Sequence, residues 1–371
     1  MVFLAVSLVA KSSAHDNNLL CMLFCRNEWN LEMSATEGPA LASITPRGKE
    51  SIGSDLTEVF ERCLQTKTSS DLHLERALPG VYYIDNVLTE EECNALVQQI
   101  DTSDSLTFWC KEKKEDQATR AYRNADTLEM QSAFFATELW RRIESALQSN
   151  MPPVVISDDP DDESYERDLV GEWKACGTNP LTLFVKYPCH GSFAPHTDGR
   201  AILDFNLRSH YSIILFLNSV PQECGAGTRF YAAEAVQKLQ LTKHNIYSSS
   251  ITTDPAKSNP SVDTSAQHWT SSPELVQGEI AAQAGRMVIF HQAWVHEGVP
   301  PIPPYQKYII RSDVMFQRTS PICDTEPDRE AYRLFRDAEW LAESGQTEEA
   351  IKLFKRAFRL SPTLAQIMGQ A

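Results

Sequence analysis

The sequence predicts a mainly β unit with flanking helices, followed by a C-terminal helical hairpin. Three observations carry this. Ser212 to Asn218 and Gly285 to Phe290 are short apolar runs bounded by polar and turn residues, the pattern of strands buried on both faces. Leu181, Leu183, Val185 and Tyr187 alternate with Thr182, Phe184 and Lys186, the period-two pattern of a strand that brings a phenol to the same inner face as its aliphatic neighbours. From Ala331 onward, small and large apolar residues recur at helical spacing.

Residues 1 to 77 read as a leader and a poorly ordered N-terminal segment. Val2 to Ala10 followed by Ser12-Ser-Ala14 has the length of a short secretory signal, but no positive charge precedes it and Lys11 interrupts its end. The nine cysteines are odd in number, scattered, and form no pair of Cys-x-x-Cys motifs, which favours reduced thiols in the cytoplasm over the secretory pathway. Leu78 to Leu88 then reads as the first strand. Thr89-Glu-Glu-Glu92 is a capping box that starts a helix with the stripe Leu96, Val97 and Ile100. A second helix is predicted over Leu128 to Leu147, where Phe135, Leu139, Ile143 and Leu147 recur every fourth residue. Both helices are expected to buttress one sheet. The acidic run Asp158 to Glu163 reads as a solvated loop.

Lys307 to Phe316 is a further strand that carries two cations among aliphatics, and a charge entering a core needs a partner. Of 371 residues, 34 are Lys or Arg and 50 are Asp or Glu, a formal charge of −16. With a pI near 5.0 this argues against nucleic acid as a partner, since phosphate binding needs concentrated basic surface.

Chemistry is concentrated in Tyr187-Pro-Cys-His-Gly-Ser-Phe-Ala-Pro-His196-Thr-Asp198 and in Val-His296-Glu-Gly-Val-Pro-Pro. On one strand, residues i and i+2 face the same way, so His196 and Asp198 could reach one metal ion while His296 arrives from a strand distant in sequence. Two histidines and one carboxylate on one face of an octahedron leave three open positions, which suits non-heme Fe(II) that must also bind a co-substrate and O2. A His-x-Asp triplet is common by chance; the flanking strand pattern gives it weight. His190, His210 and His291 have no carboxylate at i+2 and read as structural or surface residues. Arg229 and Trp294 flank the predicted sheet and could touch substrate. Cys189 lies near the motif and reads as a packing residue.

Five blocks, Tyr187 to Asp198, Arg208 to Asn218, Gly225 to Phe230, Gly285 to Phe290 and His296 to Lys307, resemble the Fe(II)- and 2-oxoglutarate-dependent dioxygenases, especially the catalytic domain of prolyl 4-hydroxylases, over residues 78 to 318. The resemblance implies a double-stranded β-helix, or jelly roll, with iron between its sheets. It implies His196, Asp198 and His296 as iron ligands, Lys307 as the partner of the distal carboxylate of 2-oxoglutarate, and Tyr187 as a hydrogen-bonding group for that co-substrate. The reaction implied is hydroxylation of an aliphatic C–H bond, on a peptidyl proline or another molecule, with release of succinate and CO2 and with L-ascorbate as reductant.

The sequence departs from the family in two places. Residues 231 to 284 form a long insertion whose middle, Ser248 to Ser272, is rich in Ser, Thr, Asp and Pro. Extra prolines at 300, 301, 303 and 304 displace the cation that follows His296, which makes Arg311 a rival of Lys307. The two share strand parity, so periodicity cannot separate them; Lys307 is favoured because it opens its strand, where the family places its cation.

Residues 328 to 364 resemble one tetratricopeptide repeat. Ala331, Leu334, Ala338, Gly345, Ala350, Phe354, Ala357, Leu360 and Pro362 stand at its packing positions. A lone repeat cannot bury its own face, so it must pack on the catalytic unit, pair with a protein partner or a second copy, or belong to a longer array. No transmembrane segment is predicted. Two other readings remain: a catalytically inactive cupin-like binding or scaffold protein that uses the repeat, and Mn or Ni in the same site for isomerase or hydrolase chemistry. The second fits poorly with a cation placed for a dicarboxylate.

Overall fold

Apolar strands flanked by turns build two antiparallel sheets that face each other. The structure is a computed structural model that describes residues 31–32, 45–46, 54–64, 72–109, 117–162, 165–235 and 273–370. In chain order the elements are α1 (Ser54–Arg62), β1 (Glu75–Leu78), β2 (Val81–Ile84), α2 (Glu90–Thr102), α3 (Gln117–Tyr122), β3 (Asp126–Gln131), α4 (Ala133–Asn150), β4 (Val154–Ile156), β5 (Gly171–Thr178), β6 (Leu181–Tyr187), β7 (Phe193–His196), β8 (Ile202–Asp204), β9 (Leu207–Phe216) and β10 (Thr228–Tyr231). They continue with β11 (Val276–Ile280), β12 (Met287–His291), β13 (His296–Gly298), β14 (Lys307–Arg318), α5 (Glu326–Glu343), α6 (Thr347–Leu360) and α7 (Pro362–Ile367).

The large sheet runs β1-β2-β12-β9-β14-β6-β3, and the small sheet runs β7-β13-β10-β11. From β6 the chain visits large, small, large, small, small, large, small and large sheet in turn, with β8 as a short edge strand on β9. That winding is a double-stranded β-helix, as expected.

The large sheet is buried on both faces, and parity decides which core each residue joins. Ile213, Leu215, Met287, Ile289 and Ile310 pack against α1, α2 and α4 through Phe60, Leu96, Phe135, Leu139 and Ile143. Their neighbours Ile214, Phe216, Val288, Phe290 and Ile309 point the other way and meet Phe230 and Ile280 of the small sheet. Fully burying each such side chain contributes about 1.5–3 kcal/mol.

One predicted boundary moves. Leu128 lies on β3, paired with Phe184 of β6, and the helix begins only after Ser132, whose side chain accepts from Phe135 N as an N-cap. The capping hydroxyl breaks one apparent apolar period into a strand and a helix. The packed core takes in residues before 78, because Phe60 on α1 and Leu64 just beyond it are buried on its helix side. Within 231 to 284, Val276–Ile280 is a strand that pairs with β10 as the edge of the small sheet. Ser248 to Ser272 and the apolar leader lie outside the described residues. Leu78 to Leu88 divides into a strand, β2, and the approach to α2, with the capping box at Thr89 and Glu92 in place.

The C-terminal helices form the predicted hairpin, turning at Gly345 with φ 77°, a conformation that favours glycine. It covers its apolar face on its own chain. Ala331, Tyr332, Leu334, Ala357 and Leu364 pack on Ile202 and Phe205, with Tyr332 edge-on to Phe205 at 5.0 Å. Among the described residues no helix is long and apolar enough to cross a membrane.

Candidate metal centre

His196 ends β7 and His296 opens β13. These strands are antiparallel neighbours, and the two histidines are register partners, so their side chains leave the small sheet on one face. The His296 ring lies 4.5 Å from Phe290 of the large sheet, which places the pair in the gap between the sheets. Phe193 stacks on His196 at 3.6 Å.

Both imidazoles are held the same way. Nδ1 of His196 is 2.8 Å from the carbonyl of Ala194, and Nδ1 of His296 is 3.0 Å from the carbonyl of Trp294. A carbonyl only accepts, so each Nδ1 carries the proton and each neutral Nε2 keeps a lone pair free for a metal. Those Nε2 atoms lie 3.6 and 3.7 Å from the carboxylate of Asp198, and one donor atom from each residue falls within 4.8 Å of the others.

Asp198 does not share a strand with His196, contrary to the period-two expectation. β7 stops at His196, and Asp198 lies in the irregular segment 197–201. Its position is set by side chains instead. Ser212 Oγ on β9 donates to Asp198 Oδ2 at 2.5 Å, and Arg311 Nη2 on β14 stands 3.5 Å from the same oxygen. The other oxygen, Oδ1, faces Nε2 of His196 at 3.6 Å.

Burial opposes the Asp198 charge, but Arg311 and the two histidines outweigh it and hold the carboxyl well below the usual range. Burial pushes His296 down to about 3, with His196 beside it, so the ring is neutral across the physiological range. A neutral nitrogen pair and one carboxylate fit a divalent first-row metal such as Fe(II), and they fit neither the all-oxygen set of Ca(II) nor a thiolate zinc site.

The two rival cations prove to have different surroundings. Arg311 is committed to carboxylates, with Nη1 3.0 Å from Asp313 Oδ1 and Nη2 near Asp198. Asp313 is itself buried, accepting from Asn179 at 2.9 Å and Gln292 at 2.9 Å. Lys307 is 1% exposed, and its Nζ donates to the carbonyl of Gly227 at 2.9 Å over the rings of Tyr187 and Phe216. Among the described residues no carboxylate lies within 4 Å of it. Burial depresses Lys307 to about 7 despite the fields of Glu279 and Glu297. Tyr187, its register partner on β6, is buried in the same core, and burial raises its phenol.

The remaining candidates fall outside the centre. Arg229 pairs with Glu279 and Glu297 across three strands of the small sheet, and Trp294 Nε1 donates to Pro79 O at 3.1 Å. His210 is wedged against Trp173 and Phe316, His291 is lowered to about 4 by burial, and His190 occupies a turn with φ 63°. Cys189 donates to Tyr305 O at 3.1 Å. Ser212 and Asp313 escaped the sequence reading, although a hydroxyl opening an apolar run and an acid two residues from Arg311 on its strand were visible signals.

Ser212→Ala removes the donor that fixes Asp198 and should weaken Fe(II) or Co(II) binding about 10- to 100-fold without unfolding the protein. Metal titration against a folded control measures this, and unchanged affinity would leave Ser212 without a role.

No family model matches the chain, and no curated protein matches it. Solved structures similar to it include a Pseudomonas putida prolyl-4-hydroxylase (13% identity, TM-score 0.36, 71% of this chain and 98% of that one). A Trichoplax adhaerens prolyl hydroxylase in complex with a hypoxia inducible factor peptide fragment is 14% identical (TM-score 0.37, 74% and 92%). The non-heme α-ketoglutarate-dependent epimerase SnoN from nogalamycin biosynthesis is 12% identical (TM-score 0.35, 72% and 84%). At these values the likeness assigns neither activity nor substrate. What this chain's own fold and site define is a double-stranded β-helix with a two-histidine, one-carboxylate centre between its sheets.

Proposed function

We propose that the protein is an Fe(II)- and 2-oxoglutarate-dependent dioxygenase that hydroxylates an aliphatic C–H bond, with a peptidyl proline as the substrate form the sequence resemblance implies. One observation carries this: buried His196 and His296 and half-buried Asp198 cluster in an intersheet core with Lys307, a buried cation with no carboxylate within 4 Å among the described residues. When bound, iron and 2-oxoglutarate supply the O2-dependent oxidation, with succinate, CO2 and a hydroxylated product as its outcome.

The chain's residues hold, orient and exclude water. The Ala194 and Trp294 carbonyls keep the imidazoles in the metal-binding tautomer, while Ser212 and Arg311 aim Asp198. Lys307 would accept the distal carboxylate of 2-oxoglutarate as a point charge, and Tyr187 would donate its hydroxyl to the same co-substrate. The rings of Phe193, Phe290 and Phe230 wall the site.

Lys307→Ala should raise the KM for 2-oxoglutarate and leave metal affinity intact, whereas Arg311→Ala should act mainly on the metal through Asp198. The reverse pattern would transfer the carboxylate to Arg311. pH adds a second measurement. In the free protein the charged ammonium is a full cost below pH 7, relieved as pH rises from about 7 toward the ordinary 10.5, so this group makes the free protein more stable across that window. A bound carboxylate holds the proton on. Binding of 2-oxoglutarate at pH 8 should therefore take up a proton and weaken as pH rises above about 7. Calorimetry in two buffers of different ionisation enthalpy measures the uptake, and no proton uptake would refute the Lys307 assignment.

A further inference from the structure

A second buried cation lies beside the centre, and the proposed reaction leaves it unused. Arg123 follows α3 and is 4% exposed. Its guanidinium lies 4.5 Å over the ring of Phe193, which in turn stacks on His196, and 5.5 Å from the ring of Trp109. The segment is fixed in place. Trp109 Nε1 donates to the Arg123 carbonyl at 2.6 Å, Asn124 N donates to Ser192 O at 2.8 Å, and Arg123 bridges to Phe193 across the sheet edge.

Among the described residues Arg123 has no anion beside it. Its Nε is buried with no hydrogen-bond partner, and among the described residues no carboxylate lies within 4 Å of the guanidinium. Its polar neighbour is the Tyr187 hydroxyl. Other buried arginines are supplied: Arg142 by Glu92, Arg208 by Asp168, and Arg318 by Asn206 and two backbone carbonyls; half-buried Arg311 has Asp313. In a chain with 50 acidic residues against 34 basic ones, a buried guanidinium with no counter-charge among the described residues is a poor structural element, because an unpaired ion is unfavourable in a core. As a receptor it is well placed. Half-buried Trp109, Tyr122 and Phe193 form a continuous aromatic wall, with ring separations of 6.0 and 5.3 Å, that leads from Arg123 to His196.

We propose that Arg123 anchors the substrate, and that the hydroxylated molecule carries a carboxylate next to a flat, apolar group that lies along the Trp109–Tyr122–Phe193 wall. This rests on the dioxygenase reading, in which Lys307 takes the distal carboxylate of 2-oxoglutarate and the metal takes the other end, so Arg123 remains for a second molecule. The guanidinium fork suits a carboxylate's two oxygens.

The test uses the full chain loaded with Mn(II) and saturated with 2-oxoglutarate, titrated with benzoate and with its neutral isostere benzamide by calorimetry. Benzoate should bind at least about tenfold tighter, since a charge-assisted pair to a buried arginine exceeds a neutral contact by that much. R123Q should erase the preference and R123K should keep part of it. Equal binding of the two probes, binding of neither, or a preference that survives in R123Q overturns the proposal. So does a parallel loss of 2-oxoglutarate affinity in R123Q, which would make Arg123 a co-substrate residue. Failure of the dioxygenase reading shows separately, as wild-type protein that does not bind 2-oxoglutarate at all.

Discussion

Asp198→Ala is expected to lower Fe(II) affinity by more than about 100-fold and to take 2-oxoglutarate turnover to background, because it removes the only anionic donor of the cluster. Two neutral imidazoles would remain, and the positive end of Arg311 would face the gap. The fold should survive. Arg311 keeps Asp313 at 3.0 Å, and Ser212 Oγ loses an acceptor in a space the smaller side chain leaves open to water. Asp198→Asn is the sharper control: it preserves shape and an oxygen acceptor but not the charge. Anaerobic titration of the Fe(II)-loaded protein with 2-oxoglutarate, watching the weak visible charge-transfer band of a chelated keto acid, reads both variants. A band of wild-type strength in Asp198→Ala would remove the metal centre from this site. A saturable band in the wild type alone would leave the substrate as the next problem.

The largest effect on stability is expected far from the His196, Asp198 and His296 cluster. Arg142 on α4 and Glu92 on α2 form an ion pair of 2.7 Å, at 0% and 1% side-chain exposure. Arg142 also donates to the carbonyls of Val87 and Leu64, and Glu92 Oε2 accepts from Thr89 N in the capping box. One guanidinium thus ties α4 to the N-terminus of α2 and to the residues following α1. Arg142→Met keeps the bulk but strands a buried carboxylate and two carbonyls, and should cost about 3–5 kcal/mol. For a unit of this size that is a fall in Tm of roughly 10 °C. Pairing it with Glu92→Gln should recover part of the loss, since the stranded charge is then gone. Metal affinity measured on folded protein should not change, because α2 and α4 cover the sheet face opposite the cluster. A Tm within a degree of wild type would show that the pair is dispensable.

Much of the site was legible because strand parity is a local property. Tyr187, Leu183 and Val185 share the inner face, and Phe184 joins the helix-side core, as the alternation required. The sequence places His196 with Asp198 on one strand and His296 on a strand distant in the chain, and the structure adds that the two histidines are register partners. Asp198 was found for a reason that does not hold, since its strand ends before it. A His-x-Asp spacing survives that error because Ser212 and Arg311, from two other strands, return the carboxylate to the imidazoles. The helix over 128 to 147 misread a junction: apolar residues on β3 and α4 fall in phase by coincidence, and only the Ser132 cap separates them.

By itself the sequence determined the strand faces from Leu181 to Tyr187, the capping box at Thr89, the hairpin turn at Gly345 and the three cluster residues. Each depends on neighbours within a few positions, where period and side-chain chemistry act directly. Only the tertiary structure gave Lys307 and Arg311 different surroundings, brought Ser212 and Asp313 to the cluster, left Arg123 with no counter-ion among the described residues, and seated the C-terminal hairpin on Ile202 and Phe205. Those outcomes turn on which charges meet across strands far apart in the chain, and same-parity cations on one strand become different only when the sheet supplies one of them with carboxylates and the other with a backbone carbonyl and two aromatic rings.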